Sequence, residues 1–257
     1  MTIRFIIFLS SFLLFANATI TEKQIKVISD VYNTCKMYHA NDGMDFRNTC
    51  AAIAIRESSA GKVIIGDQGK YPNNLVNSSL GAMQIRVKTV QYVLYKNLEL
   101  RKKYNKYFHK NIDVMNKYLP IMSSMNYYKS KYESAENAYK YAKGDSKEFF
   151  YNQYIVYRHL YIKARNNFLK YRKYYRKDLA VAQRLLTDNK FAATIAANYL
   201  IINYELAKSR NMEKPYLRAI SRYNGGWNNR RYIKAVLKDM KTVEWLKRHK
   251  KLKGLGD

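Results

Sequence analysis

The sequence predicts an all-α protein whose main domain is interrupted by a long helical hairpin. Glycine and proline, the residues that most often end helices, occur only 10 and 3 times among 257 residues. Between Gly81 and Gly225 the sole glycine is Gly144. Apolar residues recur at three- and four-residue spacings along most of the chain, which indicates amphipathic helices.

A secretory signal peptide is expected at the start of the chain. Residues 1–4 are positively charged, residues 5–15 are largely apolar, and residues 16–18 read Ala-Asn-Ala, a small-x-small cleavage pattern. An uncleaved membrane anchor is the alternative, although the apolar run is short for a bilayer span. No later segment is apolar enough to cross a membrane, so the mature protein is expected to be exported, to the periplasm or beyond the cell.

Two cysteines, Cys35 and Cys50, agree with export. In an oxidising compartment a pair at this separation can close a disulfide that ties the first helix to the next one. A bridge over a loop of this length contributes on the order of 3 kcal/mol to stability. Two thiols without a histidine cluster make a poor metal site, so we expect a disulfide and no metal.

The chain is strongly basic, with 47 Lys and Arg against 19 Asp and Glu and a formal net charge of +28. This balance indicates an anionic partner, and nucleic acid, anionic lipid and bacterial cell wall all satisfy it on charge alone. Export argues against nucleic acid.

Seven helical regions are predicted in chain order. Thr21 is a plausible cap of the first helix, and Pro215 can begin the helix that Gly225 and Gly226 end. The regions are 21–38, 46–61, 79–100, two long helices on either side of 143–146 taken as one hairpin, 191–207, 212–226 and 231–249.

The hairpin is predicted from aromatic residues at heptad spacing. Such a seam indicates two helices that pack as an antiparallel pair through their rings. Exposed rings that bind sugars or the cell wall are the alternative interpretation. The seam consists of Tyr128, Tyr132, Ala135, Tyr139 and Ala142 on one side and Phe150, Tyr154, Tyr157, Tyr161, Ala164, Phe168, Tyr171 and Tyr175 on the other.

Glu57 is the first candidate for chemistry. The spacing of Cys50, Ile53, Ala54 and Glu57 places this glutamate in the last turn of a buried helix. The negative end of the helix dipole and apolar neighbours both disfavour a charged carboxylate, and we expect them to raise its pKa. A raised pKa suits a general acid, although a solvated glutamate at a helix end is the simpler interpretation of this segment alone.

Two further motifs change that interpretation. Glu57-Ser58, then Gly81-Ala82-Met83-Gln84-Ile85, then Tyr223-Asn224-Gly225-Gly226, in this order after a signal peptide, resemble the soluble lytic transglycosylase family, whose fold is similar to goose-type lysozyme. The resemblance covers about residues 21–94 and 189–245. It implies a lysozyme-like domain that cleaves the β-1,4 bond between N-acetylmuramic acid and N-acetylglucosamine in peptidoglycan, with a 1,6-anhydro product and no cofactor.

The resemblance also implies roles for single residues. Glu57 would be the only acid and base, and Tyr223 would hold it through its hydroxyl. Ser58 would hydrogen-bond near the carboxylate or the sugar, and Met83 and Gln84 would line the cleft. Asn224 would support the sugar or the turn. For Met83 and Asn224, plain packing or capping remains equally open.

The domain boundaries follow from the same reasoning. Residues 1–18 are the signal peptide, 19–90 and 188–257 the two parts of the lysozyme-like domain, and 91–187 the Lys- and Tyr-rich hairpin insertion. The hairpin's basic faces are expected to dock on peptidoglycan stem peptides or on an envelope or secretion assembly.

Two features keep other functions open. Ala82 stands where the family more often has leucine, and the long connection between the first two motifs contains Asp67. If Asp67 positioned a water molecule, the protein would be a lysozyme-type hydrolase. A non-catalytic scaffold that binds the cell wall is the second alternative, and a basic nucleic-acid binder ranks last.

Overall fold

Helices make up nearly all regular structure of the chain. The computed structural model describes residues 20–66 and 74–254, and these contain isolated β-bridges but no strand. The all-α prediction is therefore confirmed. The signal peptide predicted over 1–18 and the alternative catalytic residue Asp67 lie outside the described residues. The helices are α1 (Glu22–Cys35), α2 (Arg47–Ser58), α3 (Val87–Lys96), α4 (Leu98–Lys103), α5 (Val114–Tyr141), α6 (Asp145–Leu169), α7 (Arg172–Thr187), α8 (Asn189–Ser209), α9 (Pro215–Tyr223) and α10 (Arg230–Arg248).

The core is built around α2, the helix that carries Glu57. Residues 49–54 of this helix are wholly buried, because α2 packs against α1, α8 and α10. Ser59 adopts a left-handed conformation, with φ of 50°, and ends the helix. Glu57 thus lies in the last turn of α2, as the sequence predicts.

The ends of α1 and α9 are also formed as predicted. Thr21 caps α1 in a reciprocal capping box with Gln24, which satisfies backbone donors that the first helical turn leaves unpaired. Pro215 is the first residue of α9, where its missing N–H costs nothing. Gln24 further donates from Nε2 to the carbonyl oxygen of Ser59 at 2.8 Å, so the start of α1 is fixed to the end of α2.

The second motif forms a turn rather than the start of a helix, in contrast to the prediction for 79–100. Leu80 and Ile85 exchange both backbone hydrogen bonds, at 3.0 and 2.9 Å, and helix α3 begins only at Val87. Gly81 has φ of +72°, and a Cβ atom on it would lie 2.0 Å from the carbonyl oxygen of Leu185. Only glycine fits this position, because both the conformation and the contact exclude a side chain.

The predicted hairpin is formed by α5 and α6, which run antiparallel on either side of Gly144. Tyr132 stacks on Tyr161 with ring centroids 6.0 Å apart, and Tyr139 contacts Tyr154 at 6.3 Å. The aromatic seam is therefore confirmed as a packing surface between the two helices. The helix that carries the second half of the seam is interrupted, since α6 stops at Leu169 and α7 starts at Arg172. The rings of Tyr171 and Tyr175 nevertheless still contact Tyr118 of α5.

A buried polar cluster fixes the base of the hairpin to the core. Asp178 of α7 accepts a hydrogen bond from the hydroxyl of Tyr118 of α5. The Oδ1 atom of Asp178 also lies 2.8 Å from Nε2 of His109 and 3.2 Å from Nε2 of Gln91. All four side chains are at most 2 % exposed. Burial and the charge of Asp178 raise the pKa of Tyr118, so its hydroxyl remains a donor.

The two cysteines differ from the prediction. Cys35 and Cys50 are both fully buried, and the structure holds them as free thiols. The Cys35 thiol lies near Cys50 and donates to the carbonyl oxygen of Ala193 at 3.5 Å, and burial raises the pKa of Cys35. The predicted pair is thus brought together between α1 and α2, but the S–S bond is not formed in this structure.

Candidate active site

A cleft of about 460 Å³ opens beside the end of α2. It is bounded by the turn of the second motif, by α8 and by the end of α9. The three sequence motifs therefore converge on one cavity, although they are far apart along the chain. The lining residues are Glu57, Ser79, Gln84, Ile85, Arg86, Thr89, Tyr199, Arg222, Tyr223, Asn224 and Gly225.

Glu57 is held by Tyr232, a residue that the sequence reasoning did not single out. The hydroxyl of Tyr232 donates to Oε1 of Glu57 at 2.6 Å, which is the length of a charge-assisted hydrogen bond. Burial raises the pKa of Tyr232, and the negative charge of Glu57 raises it further. Tyr232 therefore keeps its proton and acts as a permanent donor that orients the carboxyl group.

The position of Tyr232 follows from the start of α10. Asn229 precedes this helix and caps it, because its side chain accepts a hydrogen bond from the Tyr232 backbone N–H at 3.0 Å. The third motif ends α9 at the Gly225-Gly226 turn, so α10 returns along α2 with Tyr232 in its first turn. The sequence indicates this role only by placing Tyr232 shortly after the third motif. That position alone does not show whether Tyr223 or Tyr232 reaches Glu57.

Tyr223 has a different role from the predicted one. Its hydroxyl donates to the carbonyl oxygen of Met83 at 2.8 Å instead of to Glu57. Burial is the main cause that raises its pKa well above the usual value, so it too remains a donor. Tyr223 lines the cleft and ties the third motif to the second, while Tyr232 orients the carboxyl group.

Ser58 and Met83 also depart from the predicted roles. Ser58 is 1 % exposed, and its hydroxyl donates to the carbonyl oxygen of Ala82 at 2.7 Å while it accepts from the N–H of Gly61. Met83 is fully buried and is not part of the cleft wall. Ser58 joins the first motif to the second, and Met83 packs in the core, which is the alternative that the sequence left open for it.

Gln84 and Asn224 line the cleft as predicted. Gln84 has a left-handed backbone, with φ of 48°, and donates from Nε2 to the carbonyl oxygens of Val63 and Gly81 at 3.0 and 3.1 Å. Its amide is thereby fixed in the turn. Asn224 follows the last residue of α9 and accepts a hydrogen bond at Oδ1 from Asn229 at 3.3 Å, so it supports the turn that leads to α10.

Two arginines add positive charge to the cleft. Arg86 stands at the start of α3, and Arg222 lies in the last turn of α9, where it donates to the carbonyl oxygen of Gly225 at 3.1 Å. Arg222 also lies 5.3 Å from the ring centre of Trp227, a cation–π contact that restricts its side chain. The single carboxylate among the described lining residues, Glu57, thus faces a wall that carries two guanidinium groups.

The described residues contain no group of three or more His, Cys, Asp and Glu side chains able to hold a metal ion. Within the same part of the chain, no helix has the length and apolar character that a bilayer span requires. A comparison of the chain with protein-family models, curated proteins and solved structures finds no significant match.

Proposed function

We propose that the chain is a peptidoglycan lytic transglycosylase with Glu57 as its single acid and base. The observation that carries this proposal is the cleft in which three separated motifs surround one half-buried glutamate, whose carboxyl group is oriented by a buried tyrosine hydroxyl. A scaffold protein would have no need for a carboxyl group held in this way. The lysozyme-like nature of the fold is part of the same proposal.

The reaction needs one group that first gives and then takes a proton. Protonated Glu57 donates its proton to the glycosidic oxygen, and the bond from that oxygen to C1 of the muramyl residue breaks. The oxygen of the muramyl C6 hydroxyl then attacks C1 and forms the 1,6-anhydro ring. The Glu57 carboxylate accepts the proton of this hydroxyl, which restores the acid. One residue can do both because the leaving group and the attacking hydroxyl react in turn.

The proposed chemistry needs a single carboxyl group, whereas the hydrolase alternative depends on Asp67, which lies outside the described residues. Glycosidases that activate water ordinarily use a pair of carboxyl groups across the scissile bond. Among the described residues of the cleft wall, Glu57 carries the only one. An internal hydroxyl replaces water in the proposed reaction, so no second carboxylate has to activate a nucleophile.

The charge of the cleft supports an anionic glycan. Peptidoglycan carries carboxylates on its stem peptides, close to the bond to be cleaved, and Arg86 and Arg222 lie in the same wall as Glu57. A guanidinium group binds a carboxylate through paired hydrogen bonds. The net charge of +28 also favours association with the anionic cell wall, and we place the protein in the periplasm or outside the cell on the basis of its signal-like first 18 residues.

The test is mass spectrometry of the soluble products after peptidoglycan is incubated with the mature protein or with its Glu57→Gln variant. We expect anhydromuropeptides from the wild type, and a rate about 10²- to 10⁴-fold lower from the variant, because a glutamine cannot transfer the proton. The melting temperature of the variant serves as the folding control. Products with reducing muramic ends would instead indicate a hydrolase, and wall binding without products would indicate a scaffold.

A further inference from the structure

A second, larger cavity of about 1070 Å³ lies on another surface of the domain. It is a groove along α9 and α10, with Arg56 of α2 at its wall, and it shares no lining residue with the cleft that holds Glu57. We call it the basic groove. Its lining residues are Arg56, Glu213, Lys214, Leu217, Arg218, Asn228, Arg230, Arg231, Ile233, Lys234, Ala235, Leu237, Lys238 and Lys241.

The basic groove has a strong excess of positive charge. Eight of its fourteen lining residues are Lys or Arg, and one, Glu213, is acidic. Arg56 is neutralised by Asp239 at 2.7 Å. Lys234, Lys238 and Lys241, by contrast, form no ion pair with another described residue and are exposed. These three lysines therefore present charge that no ion pair within the described residues neutralises.

The same groove also has an apolar part. Leu217 of α9 and Ile233 and Leu237 of α10 line it between the cationic residues, and Leu237 is 38 % exposed. Apolar side chains that border a concave surface gain free energy when a partner removes them from water. A ligand that carries charge alone would leave this part of the groove uncovered.

We propose that the basic groove docks an acidic amphipathic helix of a partner protein. Lys234, Lys238 and Lys241 are spaced by four and three residues, so they form one stripe about 10 Å long on α10. A helix lying along this stripe can place Asp or Glu at the same spacing opposite the lysines and its apolar side chains against Leu217 and Leu237. A polyphosphate or an anionic glycan satisfies the lysines but has no side chains for the apolar part.

This surface is independent of the proposed chemistry. The basic groove and the cleft share no lining residue, although Arg56 of the groove directly precedes Glu57 in α2. Tyr232, the residue of α10 that serves Glu57, is buried in the core and does not line the groove. Docking would hold the protein at its partner while the cleft remains open to glycan strands.

The experiment measures binding of a fluorescein-labelled helical peptide, with Glu at positions i, i+4 and i+7 and Leu between them, by anisotropy at about 0.15 M salt. The full mature chain is compared with Lys234→Glu/Lys238→Glu/Lys241→Glu and with a control of equal net charge, Lys117→Glu/Lys131→Glu/Lys163→Glu on the hairpin. We expect at least a roughly tenfold loss of affinity in the groove variant and less than about a twofold change in the control. Leu237→Ser, which leaves the charge unchanged, is expected to weaken binding several-fold.

Three results would overturn the proposal. The first is an equal loss of affinity in both triple variants. The second is binding of polyglutamate or polyphosphate as tightly as the amphipathic peptide. The third is that the wild type does not bind the peptide. The Glu57→Gln variant separates this question from the enzymatic one, since it should bind the peptide as the wild type does whether or not the cleft is catalytic.

Discussion

The helices around the cleft and the hairpin are built on different principles. In α8, 12 of 21 residues are buried, half of them alanine or other small side chains that allow close packing. In α5 and α6 together only seven of 53 residues are buried, and four of these lie in the first nine residues of α5, at the base. Beyond Met122 the hairpin is held mainly by its own aromatic seam. The core therefore positions the site, whereas the outer hairpin adds surface.

The joint between the two regions is the buried cluster around Asp178, and breaking it should have the largest effect on stability. Asp178→Ala leaves His109, Tyr118 and Gln91 buried without their shared acceptor. We expect a loss of about 3–5 kcal/mol in the free energy of unfolding, measured by urea denaturation.

Glu133→Ala is the control, because the ion pair of Glu133 with Lys129 is exposed on α5. Its removal should lower the free energy of unfolding by about 0.5 kcal/mol or less. Equal effects of the two variants would contradict the role of the cluster.

Two tyrosines of the core, Tyr232 and Tyr223, have different roles beside Glu57. Tyr232→Phe removes the hydrogen bond to Glu57, which is worth about 1.5–3 kcal/mol when one partner is charged, so kcat should fall roughly 10- to 100-fold. Tyr223→Phe removes a hydrogen bond to the Met83 carbonyl oxygen. It should lower the melting temperature and reduce kcat less than Tyr232→Phe does. Turnover of peptidoglycan and the melting temperature of both variants are measured together. A larger loss of kcat in Tyr223→Phe would reverse the assignment of the two residues.

The smallest effect is expected from removing the outer hairpin. Ring contacts pair Tyr132 with Tyr161 and Tyr139 with Tyr154, so residues near 130 and 163 face each other across α5 and α6. Replacing 131–162 by a short glycine-rich turn keeps the base and its cluster intact. We expect the melting temperature and the cleavage rate on isolated glycan strands to change little. A fall in binding to intact cell walls at low salt would support the predicted wall docking of the hairpin, and unchanged binding would refute it.

Local signals predicted much of this fold. The capping box at Thr21, the proline at the start of α9 and the aromatic heptads each depend on neighbours in sequence, and the structure confirms them. The turn of the second motif was missed, because Gly81 is dictated by the approach of Leu185, which is far away in the chain. Apolar periodicity across 79–100 could not reveal that contact.

The same difference between local signals and long-range contacts explains which site residues were predicted correctly. Glu57, Gln84 and Asn224 were placed in the cleft by their motifs, and the structure brings them together. The motifs could not show that Ser58 and Met83 turn inward, or that Tyr232 rather than Tyr223 reaches the glutamate. The assignment of Tyr232 depends on the packing of α10 against α2, and the position of Ser58 depends on the contact between the end of α2 and the turn of the second motif. Both are properties of the packed core and not of any short segment.

The nucleophile of the proposed reaction is identified by cleavage of peptidoglycan in water enriched in oxygen-18, followed by mass spectrometry of the muramyl ends. If the C6 hydroxyl attacks C1 with Glu57 as its base, the 1,6-anhydro products carry no oxygen from the solvent, and Glu57→Gln forms them about 10²- to 10⁴-fold more slowly. Incorporation of oxygen-18 at the muramyl C1 would rule out the proposed transglycosylase mechanism, since it would show that water is the nucleophile.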